Sequence, residues 1–149
     1  MTATRTGADV LLAAVTSGEG APPCAITLGA ELLSIEPGRV RLRFDAREEF
    51  CNGMGNVQGG FLAAMLDDAM GPALFTLLDE GQFAPTLEMK VSFLRPAQPG
   101  PIVGEGRVVQ RTRTVAFLDG TLMSEDGAII ATATATARIM APNSGVDGH

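Results

Sequence analysis

The chain has 149 residues, enough for one domain with a real core and too few for two. Its 46% hydrophobic and 19% charged residues describe a folded globular chain, and a net charge of -6 argues against general nucleic-acid binding while leaving room for a local basic strip that holds a phosphorylated ligand. Cys24 and Cys51 form no CxxC pair, which speaks against a disulfide framework or a zinc site and fits a reducing cytoplasm; no apolar run is long enough to span a membrane or has signal-peptide character.

Residues 8–17 predict a short amphipathic helix with Ala8 or Asp9 near its start, ending at Gly18, Glu19 and Gly20. After Pro22 and Pro23, residues 25–35 place Ile26, Leu28, Leu32, Leu33 and Ile35 in an irregular alternation, which predicts a strand that bulges or bends near Gly29. Pro37 and Gly38 occupy the centre of a tight turn, and residues 39–45 then alternate basic residues with Val40, Leu42 and Phe44, as a hairpin with one wet face does. Residues 46–51 are polar and short, and predict a single helical turn leading into a glycine-rich loop.

The stretch 52–71 organises the chain. Residues 61–78 carry only Asp67 and Asp68 as charges, so the predicted helix is apolar on most faces and buried on most sides. Gly59 and Gly60 stand at its start, where the first N–H groups lack an intrahelical acceptor and the helix dipole is positive; without side chains there, a ligand oxygen can come close. Asp67 follows two turns later and must reach a cleft, a subunit boundary or a hydrogen-bond partner, because a buried unpaired carboxylate is costly. Pro72 removes a backbone donor and should bend the helix near Asp68, and Asp79, Glu80 and Gly81 mark its end.

Residues 86–94 put Leu87, Met89, Val91 and Phe93 on one side and Thr86, Glu88, Lys90 and Ser92 on the other, the pattern of a half-buried strand. Arg95 and Pro96 stop it. Further strands are predicted at 102–110, 115–123 and 128–140, with a turn at 124–127 and Thr132, Thr134 and Thr136 alternating with Ala131, Ala133 and Ala135. Two strands, a long helix and about four more strands predict an α+β arrangement, one helix against an antiparallel sheet, with residues 1–24 as an N-terminal segment, 25–140 as the domain and 141–149 as a frayed tail.

A single histidine, His149, lies in the polar tail, which removes Ser-His-Asp and Cys-His nucleophiles, His-ligated zinc and carboxylate-His dyads. Gly53 and Gly55 invite comparison with a dinucleotide fingerprint, but Gln58 fills the third glycine position. Asp67 and Asp68 point about 100° apart on a helix with no further carboxylate beside them, so no metal is expected. The bland reading of a helix aspartate, an ion pair or a hydrogen bond to a backbone N–H, suits Asp68 better than Asp67; for Gln58, Gly59 and Gly60 it is a tight turn without a ligand, and for Asn52 an ordinary loop or cap residue. Together these residues bring amide donors and a carboxylate near one another, which is what hydrolysis of an acyl group requires.

At these residues the chain resembles the hotdog-fold thioesterase superfamily, in particular its phenylacetate-degradation type: the pattern Asn-x5-His-Gly-Gly-x6-Asp is matched by Asn52, Gln58, Gly59, Gly60 and Asp67. The stretches 87–96, 106–110 and 126–133 also look like that family, and the resemblance covers residues 25–140. It implies a long central helix wrapped by a mainly antiparallel sheet of five to six strands, and a homodimer or dimer of dimers with its active site at the subunit boundary. It further implies an acyl-CoA substrate, no cofactor and no membrane partner. The Gly59 amide would polarise the thioester carbonyl, and Asp67 of the neighbouring subunit would activate water or attack directly. Asn52 would position the water or Asp67, Thr86 matches a strand position that often has a hydroxyl, and Gly60 belongs to the substrate-binding helix start. Arg95, Arg111 and Arg113 are candidates for the coenzyme A phosphates. One departure is Gln58 where the family has His: glutamine can donate a hydrogen bond or brace the loop but cannot carry a proton, and losing an oxyanion donor costs about 3–4 kcal/mol in other enzymes. The alternative this opens is a non-catalytic hotdog protein that binds acyl-CoA or another ligand. Phe61, Met65, Met89 and Phe93 are candidate pocket residues, although core packing is the commoner use of such side chains.

Overall fold

The computed structural model describes residues 5–17 and 20–142; the predicted end of the first helix at Gly18 and Glu19, and the terminal tail with His149, lie outside the described residues. Helix α1 (Gly7–Ser17) begins with a reciprocal cap: the Asp9 N–H donates to Thr6 Oγ1 at 3.2 Å and the Thr6 N–H donates to Asp9 Oδ2 at 2.9 Å. No helix among the described residues is long and apolar enough to cross a membrane.

The predicted strand at 25–35 is corrected in its first half. Residues Pro23–Thr27 form a short helix, α2, that opens on a proline and closes in a Schellman arrangement: Gly29, at φ +64°, donates to Ile26 O at 3.0 Å and Ala30 donates to Ala25 O at 2.9 Å. Gly29 is therefore a helix cap, and the bulge in strand β1 (Glu31–Glu36) falls between Leu32 and Ser34. Beyond the 36–39 turn, β2 (Arg39–Ala46) buries Val40, Leu42, Phe44 and Ala46, and a 3-10 turn at Glu48–Phe50 leads into the glycine-rich loop.

Helix α3 (Gly59–Phe75) lies across one face of a six-stranded antiparallel sheet completed by β3 (Thr86–Phe93), β4 (Gly100–Arg111), β5 (Val115–Ser124) and β6 (Ile129–Arg138), in the order β1-β2-β4-β5-β6-β3. Met65, Leu66, Met70 and Leu74 of the helix join Val40, Phe44, Ile102 and Leu122 of the sheet in one core. The alanines of β6 face the helix while its threonines face outward, so the small side chains lie where helix and sheet approach. Approach is closest at Gly106, where an added Cβ would stand 2.0 Å from the Ala69 carbonyl oxygen. What α3 leaves exposed is one narrow stripe, Gly60, Ala64, Asp67 and Gly71, at helical spacing. The helix ends three residues before the predicted 78: Thr76 Oγ1 donates to Ala73 O and accepts from the Gly38 N–H, both at 2.7 Å, while Leu77 and Leu78 make tighter i to i+3 bonds.

Strand β3 departs from its half-buried pattern. It is an outer strand of the sheet, bonded only to β6, and Leu87 and Phe93 are exposed while Met89 and Val91 are partly covered. Its apolar alternation holds from Met89 to Phe93, whereas Leu87 falls at a register shift between Thr86 and Glu88, so that Thr86 pairs with Ala137 in line with the inward residues.

Candidate active site

Two backbone bonds fix how the chain enters α3: the Val57 N–H donates to Ala97 O at 2.9 Å and the Gln58 N–H donates to Phe50 O at 2.8 Å. Gln58 is the N-cap in extended conformation, and its carbonyl accepts from Phe61 at 3.0 Å and Leu62 at 3.3 Å. Its side chain makes no capping bond; it curls back so that Oε1 lies 3.3 Å from where a Cβ on Gly60 would be. The Gly59 and Gly60 amides are thus left without an acceptor among the described residues, at the positive end of a 17-residue helix. Gly59 is held from outside by Phe93, whose ring tip would lie 3.0 Å from a Cβ there.

Asn52 builds the loop before the helix. Its Oδ1 accepts from Met54 at 2.9 Å and Asn56 at 3.2 Å, and its backbone N–H donates to Asn56 O at 2.8 Å. This is a local Asx-type turn. The loop is tied to the far side of the site by Gln98, which donates to Asn56 Oδ1 at 2.9 Å.

Asp67 is exposed and has one partner among the described residues: Thr86 Oγ1, at the start of β3, donates to its Oδ1 at 2.9 Å. The structure therefore brings together Asp67 and Thr86, which stand 19 residues apart, and pairs Gly59 with Phe93 at the other end of the same strand. Asp68 reverses the expectation placed on it. It is half-buried with no ion pair or hydrogen bond among the described residues, and burial first, then the neighbouring negative charge of Asp67, pushes its carboxyl above the ordinary range. Pro72, four residues on, supplies no N–H to the Asp68 backbone carbonyl. The two aspartates diverge as adjacent helical residues must, and among the described residues no three His, Cys, Asp or Glu side chains converge on a metal position.

The three arginines separate. Arg95 borders an open cleft of about 400 Å³ between the 95–102 segment and the β5–β6 turn, shared with Gln98, Ser124, Asp126 and Ile130; none of its lining residues belongs to α3. In it the Ser124 hydroxyl, the Ala128 N–H and, more weakly, the Arg95 charge hold the Asp126 carboxyl below its usual range. Arg111 is partly buried, donates to the Leu77 carbonyl at 2.6 Å and reaches Gln82 Oε1 at 3.4 Å. It caps the C-terminal end of α3, about 25 Å from Gly59 along the helix axis, so within one chain it is committed to the fold. Arg113 is exposed in the connection between β4 and β5. Of the apolar candidates, Met65 is fully buried and Phe61 stacks on Phe50 at 4.2 Å between centroids, with the Arg47 guanidinium 4.8 Å above Phe50. Phe93 alone of the four meets the helix start.

Residues 54–131, just over half the chain, match the thioesterase superfamily. A crystal structure of a phenylacetic acid degradation-related protein from Ralstonia eutropha JMP134 is similar at 39% identity, covering 85% of this chain and 97% of that one with a TM-score of 0.79. A thioesterase family protein from Silicibacter pomeroyi is similar at 32% identity, covering 85% and 96% with a TM-score of 0.78. Human acyl-coenzyme A thioesterase 13 is 30% identical over 87 residues, which is 58% of this chain and 61% of that protein. The chain belongs to the thioesterase superfamily and has its hotdog fold, a central helix against a six-stranded antiparallel sheet. It is a thioester hydrolase, of the phenylacetate-degradation type.

Proposed function

We propose that the chain hydrolyses acyl-CoA thioesters at a site assembled from two copies, with the Gly59 amide of one copy polarising the carbonyl and Asp67 of the other acting on it. The observation that carries this reading is the separation of the two groups within one chain. Gly59 and Asp67 are eight residues apart on α3, about 12 Å along its axis. A donor at the carbonyl oxygen and a carboxylate attacking the carbonyl carbon lie within about 7 Å of each other, or about 10 Å with one water between them. Strand β3 supplies the remedy. Thr86, which holds Asp67, and Phe93, which touches Gly59, sit at its opposite ends, and its outer edge is unpaired with Leu87, Phe93 and Leu94 exposed. Antiparallel pairing of two such edges about their middle sets Thr86 of one copy across from Phe93 of the other, and so a carboxylate beside an amide, twice per dimer.

In this arrangement a water oxygen attacks the thioester carbon and gives its proton to Asp67. The carbonyl oxygen takes negative charge against the Gly59 N–H, and collapse of the tetrahedral species breaks the C–S bond while Asp67 returns its proton to the departing sulfur, releasing the acid and the coenzyme A thiol. Direct attack by Asp67, with water hydrolysing the resulting anhydride, uses the same geometry. Gln58, with no proton to carry, takes no part in proton transfer, and Arg95 is the cation assigned to a coenzyme A phosphate. Thiol release from short, medium, long-chain and aryl acyl-CoAs tests the reading, with the signal of Cys24 and Cys51 subtracted: wild type turns over, Asp67→Asn does not, and equal turnover by both removes it.

A further inference from the structure

We infer that Phe93 determines which acyl groups the site accepts, by limiting bulk on the carbon next to the thioester carbonyl; the inference rests on the site proposed above. Phe93 lies at the end of β3 on the side that faces α3, opposite the small Ala131 of β6, and its ring tip would stand 3.0 Å from a Cβ on Gly59, with the two adjacent ring atoms at 3.2 and 3.5 Å. A glycine amide nitrogen is about 2.5 Å from its own Cβ position, so the ring reaches within about 5.5 Å of the Gly59 nitrogen. A carbonyl oxygen accepting from that N–H at about 2.9 Å therefore brings its carbon, and the first atom attached to it, against the ring. In one copy the ring is 54% exposed, and the β3 pairing proposed above sets it beside Thr86 of the other copy, so the wall stands where the two halves of the site meet.

Among the described residues of one copy, no other side chain at the helix start is placed to take the part. Gly59 and Gly60 have no side chains, the Gln58 side chain is folded back beside Gly60, Met65 is buried in the core and Phe61 is stacked on Phe50. An unbranched acyl chain presents a methylene to the ring and passes. A benzoyl group or a 2-methyl-branched chain presents a substituted carbon at the same point and collides.

The test compares kcat/KM for hexanoyl-CoA, 2-methylbutanoyl-CoA and benzoyl-CoA in wild type, Phe93→Leu and Phe93→Ala, with Asp67→Asn as the inactive control and the oligomeric state of each variant checked by light scattering. A wall of this kind predicts that Phe93→Ala raises the benzoyl and branched values relative to hexanoyl by about tenfold or more, with Phe93→Leu between. A common factor across all three substrates in both variants, complete loss included, overturns the inference while leaving the site reading intact. Turnover that survives in Asp67→Asn removes the site reading itself, and the inference with it.

Discussion

Replacing Thr86 by valine removes one oxygen and leaves shape and strand preference nearly unchanged. That oxygen is the only partner of Asp67 among the described residues, donating to its Oδ1 at 2.9 Å. A hydrogen bond to a charged group contributes about 1.5–3 kcal/mol, and because both residues are exposed in a single chain the lower end applies, about 1.5 kcal/mol. If that energy holds the carboxylate in its reactive orientation, its loss lowers kcat/KM about tenfold. Stability should fall by no more than that amount, part of it offset because valine suits an exposed strand at least as well as threonine. The assay is steady-state thiol release from the best acyl-CoA of the panel, with Thr86→Ser as the companion that restores the hydroxyl. Thr86→Val at wild-type kcat/KM, or Thr86→Ser as slow as Thr86→Val, would refute the reasoning.

Three further outcomes follow from single residues. Asp68→Asn should raise Tm at pH 7 and leave it unchanged well below pH 4: a carboxyl whose folded pKa is raised favours the fold only while protonated and loses that contribution as pH rises, and a pH-independent effect of the substitution would contradict the stated cause. Gly106→Ala should cost about 3 kcal/mol, roughly 10 °C in Tm, because its methyl would land on the Ala69 carbonyl, a backbone group that cannot rotate away; a thermal melt within 2–3 °C of wild type would mean that the helix is not seated there as described. Arg111→Met should lower Tm through loss of its bond to the Leu77 carbonyl while leaving KM for acyl-CoA unchanged, whereas a raised KM at unaltered stability would return Arg111 to the phosphate-binding role.

Much of the fold was legible because local preference and burial agree over long runs. The Ala and Thr alternation of β6, the Arg alternation of β2 and the nearly uncharged α3 each face one way in sequence and in structure. Where they conflict, the pattern misleads. Residues 25–28 alternate like a strand, but Pro23 at a helix start and Gly29 at +64° make the local helix the better solution. The apolar face of β3 announces a buried surface, and one copy of the chain does not supply one at Leu87 and Phe93. The glycines and aspartate of the site stood out by their place on the helix and by the family pattern they match, whereas the Phe93 contact to Gly59 and the Arg111 bond to Leu77 depend on which strands end beside which end of the helix, and no spacing encodes that.

The central claim is that one thioester is hydrolysed by groups from two copies, and mixing inactive chains tests it most directly. Asp67→Asn lacks the carboxylate, and Gly59→Pro removes the N–H itself at the first helical position, where proline fits. Each homodimer should be nearly inactive. If equal amounts are dissociated and reassociated, half of the dimers are mixed and each contains one intact site of two, so about a quarter of wild-type turnover should return. Mixed dimers that form, as followed by mass, yet recover no activity would contradict a shared site.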